Sequence, residues 1–77
     1  MKIKVKLAGH LKKYGYKGAS EFQIELTQGS TVQDIISQLE IPDSSFAFCS
    51  VNGIKESSKH PLNDGDAVAI YPPLSGG

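Results

Sequence analysis

The chain has 77 residues, enough for one domain with a small core, near the size at which folding without staples is marginal but feasible. Eight lysines balance eight acidic residues and arginine is absent. That argues against a nucleic-acid binder, which carries a basic excess and uses arginine for bidentate phosphate or guanine contacts. A lone cysteine excludes an internal disulfide and a cysteine-rich metal site, and no apolar run reaches the length of a membrane span. The expectation is a soluble cytoplasmic protein that binds no metal, no cofactor, no nucleic acid and no membrane.

Met1-Lys2-Ile3-Lys4-Val5 opens as a strand rather than a signal peptide. Ile3, Val5 and Leu7 alternate with Lys2, Lys4 and Lys6, the period-two pattern of a strand with one buried face. Glu21 to Leu26 repeats the pattern with acidic residues at the polar positions. Paired as a hairpin, the two strands set lysines opposite glutamates, each such pair contributing some tenths of a kcal/mol. The connection from Gly9 to Ser20 is long for a hairpin and rich in glycine, so a turn of helix or an irregular loop is expected there.

The period then changes. Val32, Ile35, Ile36 and Leu39 fall at i, i+3, i+4 and i+7, one face of a helix. Two capping boxes are available, Ser30 with Gln33 or Thr31 with Asp34, and Pro42 is positioned to end the helix. Phe46 to Val51 returns to strand composition and Asn52-Gly53 signals a tight turn. Ile54 to Ser58 reads as a short edge strand or a loop. Asp64-Gly65 marks a second turn before a final strand, Ala67 to Tyr71.

A hairpin, a helix across it and a last strand returning beside the first is the β-grasp arrangement, an α+β fold with a mixed sheet of four to five strands. The right-handed crossover rule makes the strands flanking the helix parallel and leaves the first and last strands side by side at the centre. Residues 1–72 form this domain and residues 73–77 a C-terminal tail. One helix covers one face only, so the other face stays open. With Ala47, Cys49 and Val51 turned to the helix, Phe48 faces outward, and Ala69 and Tyr71 join it if Val68 and Ile70 point inward. That patch beside the tail is a candidate docking surface. A register shifted by one residue would bury Phe48 instead.

The ending carries the chemistry. Pro72-Pro73 holds the chain extended and removes two backbone donors, so strand pairing stops there. Leu74, Ser75, Gly76 and Gly77 follow. A Gly-Gly end is either a frayed terminus or a thin segment made to thread a narrow channel, with its α-carboxylate as the only reactive group. A stiff spacer with an apolar residue ahead of the glycines favours insertion, because little conformational freedom is then lost on docking.

The stretch from His60 to Gly77, with Asp64-Gly65-Asp66, an apolar strand and Pro-Pro-x-x-Gly-Gly, resembles the ubiquitin-like sulfur carriers of the MoaD/ThiS family. It is most like the small subunits of molybdopterin synthases. Val51-Asn52-Gly53 and Thr31-Val32-Gln33-Asp34 extend the resemblance over the whole chain. It implies that Gly77 is adenylated by a ubiquitin-activating-type adenylyltransferase using ATP. A sulfurtransferase then supplies the sulfur of a thiocarboxylate, which donates it to a pyranopterin held by the synthase large subunit. By the same resemblance Gly76 is the slender linker, and Pro73, Leu74 and Ser75 enter the partner with it. The chain is then a carrier rather than an enzyme on its own. Related carriers serve thiamine synthesis or transfer-RNA thiolation, or act as protein modifiers through isopeptide bonds; the paired prolines favour the molybdopterin branch. A plain interaction module with idle glycines is the remaining reading.

Other residues are read as structural. Cys49, two residues before Val51 on the same strand face, is a core cysteine in preference to a relay thiol. His10 and His60 lack the partners of a metal site. Lys12 to Lys17 mixes lysine with tyrosine as single-strand binders do, but with no net positive charge behind it reads as a solvated loop.

Overall fold

Lysines at every second position keep one face of β1 (Lys2–Leu7) in water, while Ile3, Val5 and Leu7 are buried. The computed structural model describes residues 1–73. β2 (Glu21–Glu25) pairs antiparallel with β1, with Lys2 opposite Glu25, Lys4 opposite Gln23 and Lys6 opposite Glu21. The charges sit as neighbours without closing into contact pairs. Among the described residues the ion pairs within 4.0 Å are Met1 ammonium with Glu25 and His60 with Glu56.

The connection between β1 and β2 forms two 3₁₀ turns, Gly9–Tyr14 and Tyr16–Gly18, around the fully buried Leu11. Gly15 joins them where any Cβ would run into the Ala19 carbonyl. α1 (Val32–Gln38) starts with the Thr31–Asp34 capping box, Thr31 N–H donating to the Asp34 carboxylate at 2.8 Å. It buries Val32, Ile35 and Ile36 against the sheet. Its end differs from the reading that Pro42 stops it. Ile41 N–H donates to Ile36 O at 3.0 Å and Glu40 N–H to Ser37 O at 3.1 Å, with Glu40 at φ 57°. This is a Schellman ending, complete before the proline, and it carries Ile41 into the core.

β3 (Phe48–Val51) and β4 (Ile54–Glu56) make a hairpin through Asn52-Gly53, both at positive φ. Strand composition predicted β3 from Phe46 with Ala47 turned inward. A 3₁₀ turn at Asp43–Ser45 precedes the strand, Phe46 packs on the core, and Ala47 is exposed. β5 (Ala67–Tyr71) lies between β1, to which it is parallel, and β3, to which it is antiparallel. The sheet order is β2-β1-β5-β3-β4, with one helix on one face: the β-grasp arrangement. No helix of the described residues is long and apolar enough to cross a membrane.

The start of β5 is fixed by side chains. Asp66 is buried and accepts from Asn52 Nδ2 at 2.9 Å and from Asn63 N–H at 2.8 Å, while Asn52 Oδ1 accepts from Ala67 N–H at 2.9 Å. Removing the carboxylate takes the acceptor from two part-buried donors on exposed residues, which water then partly satisfies. Asp66→Ala is expected to lower stability by about 1–2 kcal/mol, read as a fall in the urea midpoint at unchanged slope.

Candidate functional site

β5 ends at the centre of the sheet and is held from one side to Ile70 and from the other to Tyr71. Ala8 N–H, just past β1, donates to Ile70 O at 3.0 Å, and Ala47 N–H, just before β3, donates to Tyr71 O at 2.9 Å. Pro72 and Pro73 have no donors, so pairing stops there and the chain leaves the sheet. Pro72 is half-buried and Pro73 exposed. Beneath Pro72 lies Gly9 at φ +56°, where an added Cβ would stand 3.5 Å from Pro72 Cγ. The root of the tail is thus held by two strand bonds, with Gly9 beside Pro72. Leu74, Ser75, Gly76 and Gly77 lie outside the described residues.

The open face of the sheet borders this root. Val68 and Ile70 point to the core, so Ala69 and Tyr71 face the other way, half-buried. Phe48 lies opposite Tyr71 in the β3–β5 register and is 38% exposed, with Cys49 and Val51 turned to the core. The two rings stack with centroids 4.6 Å apart and planes 11° from parallel. Lys55 Nζ reaches over Phe48 at 5.4 Å from its centroid. Below the aromatic pair, small residues leave a concavity of about 510 Å³ whose walls include Lys4, Lys6, Ser50, Ala67 and Ala69. Phe48, Ala69 and Tyr71 therefore form one surface, next to the tail. Sequence reasoning missed Ala8, Gly9 and Ala47, which act through backbone groups or the lack of a side chain; only the positive φ of Gly9 leaves a trace in composition.

The remaining titratable groups are dispersed. His60 Nδ1 stands 3.5 Å from Glu56 Oε1, while His10 is exposed on the connection after β1. Cys49 is wholly buried, and its Sγ donates to Glu56 O at 3.2 Å. Burial, and secondarily the Glu56 charge, push the thiol pKa up. A raised value in the folded state means the thiol's contribution to stability is full below the ordinary thiol range and is lost as pH rises from there through the raised folded value. Cys49→Ala should flatten the alkaline fall in stability, measured by urea unfolding at successive pH values, while native Cys49 should resist thiol reagents at neutral pH.

The family model of the ThiS family matches residues 5–77. A molybdopterin synthase sulfur carrier subunit from Chlamydomonas reinhardtii is 31% identical over 83 residues, spanning 97% of this chain and 100% of that protein. A solved structure from Pyrococcus furiosus named for molybdopterin converting factor subunit 1 superposes with a TM-score of 0.74 at 27% identity, covering 96% of this chain and 99% of that one. Two others share the fold at lower identity. One is small archaeal modifier protein 1 of Haloferax volcanii, with a TM-score of 0.73, 19% identity and coverage of 95% and 98%. The other belongs to a complex of subunits 1 and 2 of the molybdopterin-converting factor from Helicobacter pylori, with a TM-score of 0.63, 22% identity and full coverage of both chains. A family match over nearly the whole length, on a β-grasp sheet whose central strand leads into Pro-Pro and Gly-Gly, makes this chain a member of the ThiS family.

Proposed function

We propose that this protein is a sulfur carrier that works through a thiocarboxylate on Gly77, serving as the small subunit of a molybdopterin synthase in the cytoplasm. The observation that carries this is the tail root: a central strand, bonded on one edge to Ile70 and on the other to Tyr71, that runs into Pro72-Pro73 and the Leu74-Ser75-Gly76-Gly77 sequence. The relative at 31% identity, by its name, supports molybdopterin synthesis as the pathway.

The chemistry follows from what a carboxylate lacks. It is a poor electrophile until an oxygen is turned into a leaving group. A Gly77 oxygen attacks the α-phosphorus of ATP in the adenylyltransferase, pyrophosphate departs, and an acyl-adenylate results. The terminal sulfur of a sulfurtransferase persulfide then attacks the carbonyl carbon, and AMP leaves with the bonding pair. A second thiol cleaves the S–S bond, taking the donor sulfur into a disulfide and releasing the thiocarboxylate. The thiocarboxylate sulfur is a soft nucleophile, and the synthase large subunit presents the pyranopterin it attacks. The domain supplies recognition: the tail from Pro73 enters the partner, and Phe48, Ala69 and Tyr71 dock beside it. ATP is consumed by the partner, and the carrier holds no cofactor of its own.

Incubation with an adenylyltransferase, ATP and a sulfurtransferase with its sulfur source should add the oxygen-to-sulfur mass difference to the peptide ending at Gly77. Deleting Gly77, or adding a residue after it, should abolish that gain and leave the circular dichroism spectrum unchanged. Sulfur transfer from a chain with a blocked terminus would sink the mechanism, and isopeptide adducts on other proteins would identify a modifier instead. A second expectation concerns the docking surface. Phe48→Ala removes an exposed ring from its centre and should raise the KM for adenylation about tenfold with kcat held, the size of an interface anchor rather than of a core residue.

A further inference from the structure

The neutral total conceals a segregation: six of the eight lysines fall within residues 2–17, and no Asp or Glu occurs before Glu21. The fold divides these six into two groups. Lys2, Lys4 and Lys6 run along β1 beside Glu25, Gln23 and Glu21 of β2. Lys12, Lys13 and Lys17 belong to the connection after β1, where all three are exposed and, among the described residues, none lies within 4.0 Å of a carboxylate.

That connection is fastened to the tail root. Ala8 bonds to Ile70 and Gly9 lies beside Pro72, while the buried Leu11 fixes the 3₁₀ turn to the core. Lys12 and Lys13 follow Gly9 by three and four residues, about 6–8 Å of 3₁₀ rise and within one Debye length of the exit. Two of the ammonium groups are steadied on aromatic faces, Lys13 at 5.3 Å from the Tyr14 centroid and Lys17 at 5.8 Å from that of Tyr16. Tyr14 packs against the core, so the Lys13 charge is held near a fixed place. Of the neighbouring acidic residues in sequence and fold, Glu21 lies opposite Lys6 in the hairpin, and Glu40 and Asp43 follow the end of α1.

We infer that the connection Gly9–Gly18 is a basic collar that docks on an acidic protein rim around the channel receiving the tail. The inference rests on the tail-insertion reading above. Complementary charge of this kind acts chiefly on encounter, orienting the tail toward its channel before short-range contacts form. A protein rim fits better than a nucleic acid. The collar has no arginine fork, and eight carboxylates elsewhere on the chain repel a polyanion that extends past it.

The test is stopped-flow association of the full chain with its adenylyltransferase at several salt concentrations. Lys12→Glu/Lys13→Glu should slow association about tenfold at low ionic strength, with dissociation nearly unchanged and the difference closing at high salt. Lys12→Gln/Lys13→Gln should fall between. Lys59→Glu, an exposed lysine beside the start of α1, should change the rate less than about twofold. Equal association rates for wild type and double reversal, with Gly77 still adenylated, would overturn the collar and leave the carrier reading standing. Failure of wild-type Gly77 to be adenylated by a partner competent on another carrier would overturn both. Binding of a fluorescent oligouridylate that the double reversal abolishes, with partner association unaltered, would overturn the protein rim in favour of a nucleic acid.

Discussion

The parallel pairing of β1 with β5 is the constraint on which the rest of the structure depends. Two parallel neighbours cannot be joined by a tight turn, so everything between Ala8 and Asp66 is in effect their crossover. That long loop closes only because its own elements bury apolar surface as they pass, α1 over the inner face and β3 along the free edge of β5. Each end of the pair is then secured differently. At the start of β5, Lys4 N–H reaches Asp66 O at 3.0 Å and Gly65 N–H reaches Lys2 O at 2.8 Å, with the Asn52–Asp66 side chains bracing the turn. At the other end Ala8 and Ala47 hold the strand from both sides. A strand pinned at both ends and buried along one face gives Pro72 and Pro73 a fixed origin.

The open face follows from the same topology. One helix buries one side of five strands, and the side it leaves uncovered is made tolerable in water by composition. Lysines and acidic residues occupy β1 and β2, small residues the middle, and the aromatic pair is confined to the end where the tail leaves. Stacking reduces the apolar area that Phe48 and Tyr71 show to solvent, while Lys55 covers part of what remains. On this face the aromatic surface that stays exposed lies where insertion of the tail would bring a partner.

Much of this was legible in the sequence, because the strong signals are periodic. Ile3, Val5 and Leu7 fixed the inner face of β1, and Val32, Ile35, Ile36 and Leu39 fixed the helix, where amphipathic spacing leaves little choice. The inward turn of Val68 and Ile70 placed Ala69 and Tyr71 outward. The helix end was not legible. Its αL position is occupied by Glu40 rather than glycine, an arrangement enforced by burying Ile41 and hidden from local propensity. Ala47 was misplaced for a related reason: an alternating pattern has no marker for where pairing begins, and here it begins after a 3₁₀ turn that turns Phe46 inward. The tail's composition could be read directly, but its mount could not, since backbone bonds from Ala8 and Ala47 to residues sixty and twenty-odd positions away leave no side-chain signature.

Size decides how such a carrier meets its partners. A standard interface takes about 800 Å² from each side, roughly one sixth of the 4809 Å² surface of this chain. On the proposed chemistry activation and donation would both use the same tail, so both partners would dock around the same exit, where the aromatic pair lies on one side and the Gly9–Gly18 connection on another. Their footprints would then overlap, and occupancy by one would exclude the other. A carrier of this kind works only if each complex dissociates once its step is done. That condition favours a small apolar contact joined to exposed, salt-sensitive charges over a large hydrophobic interface, because charge speeds encounter without slowing release in proportion. The surface around the exit has that character: two stacked rings and a floor of small side chains on one side, and the lysine cations of the Gly9–Gly18 connection on another.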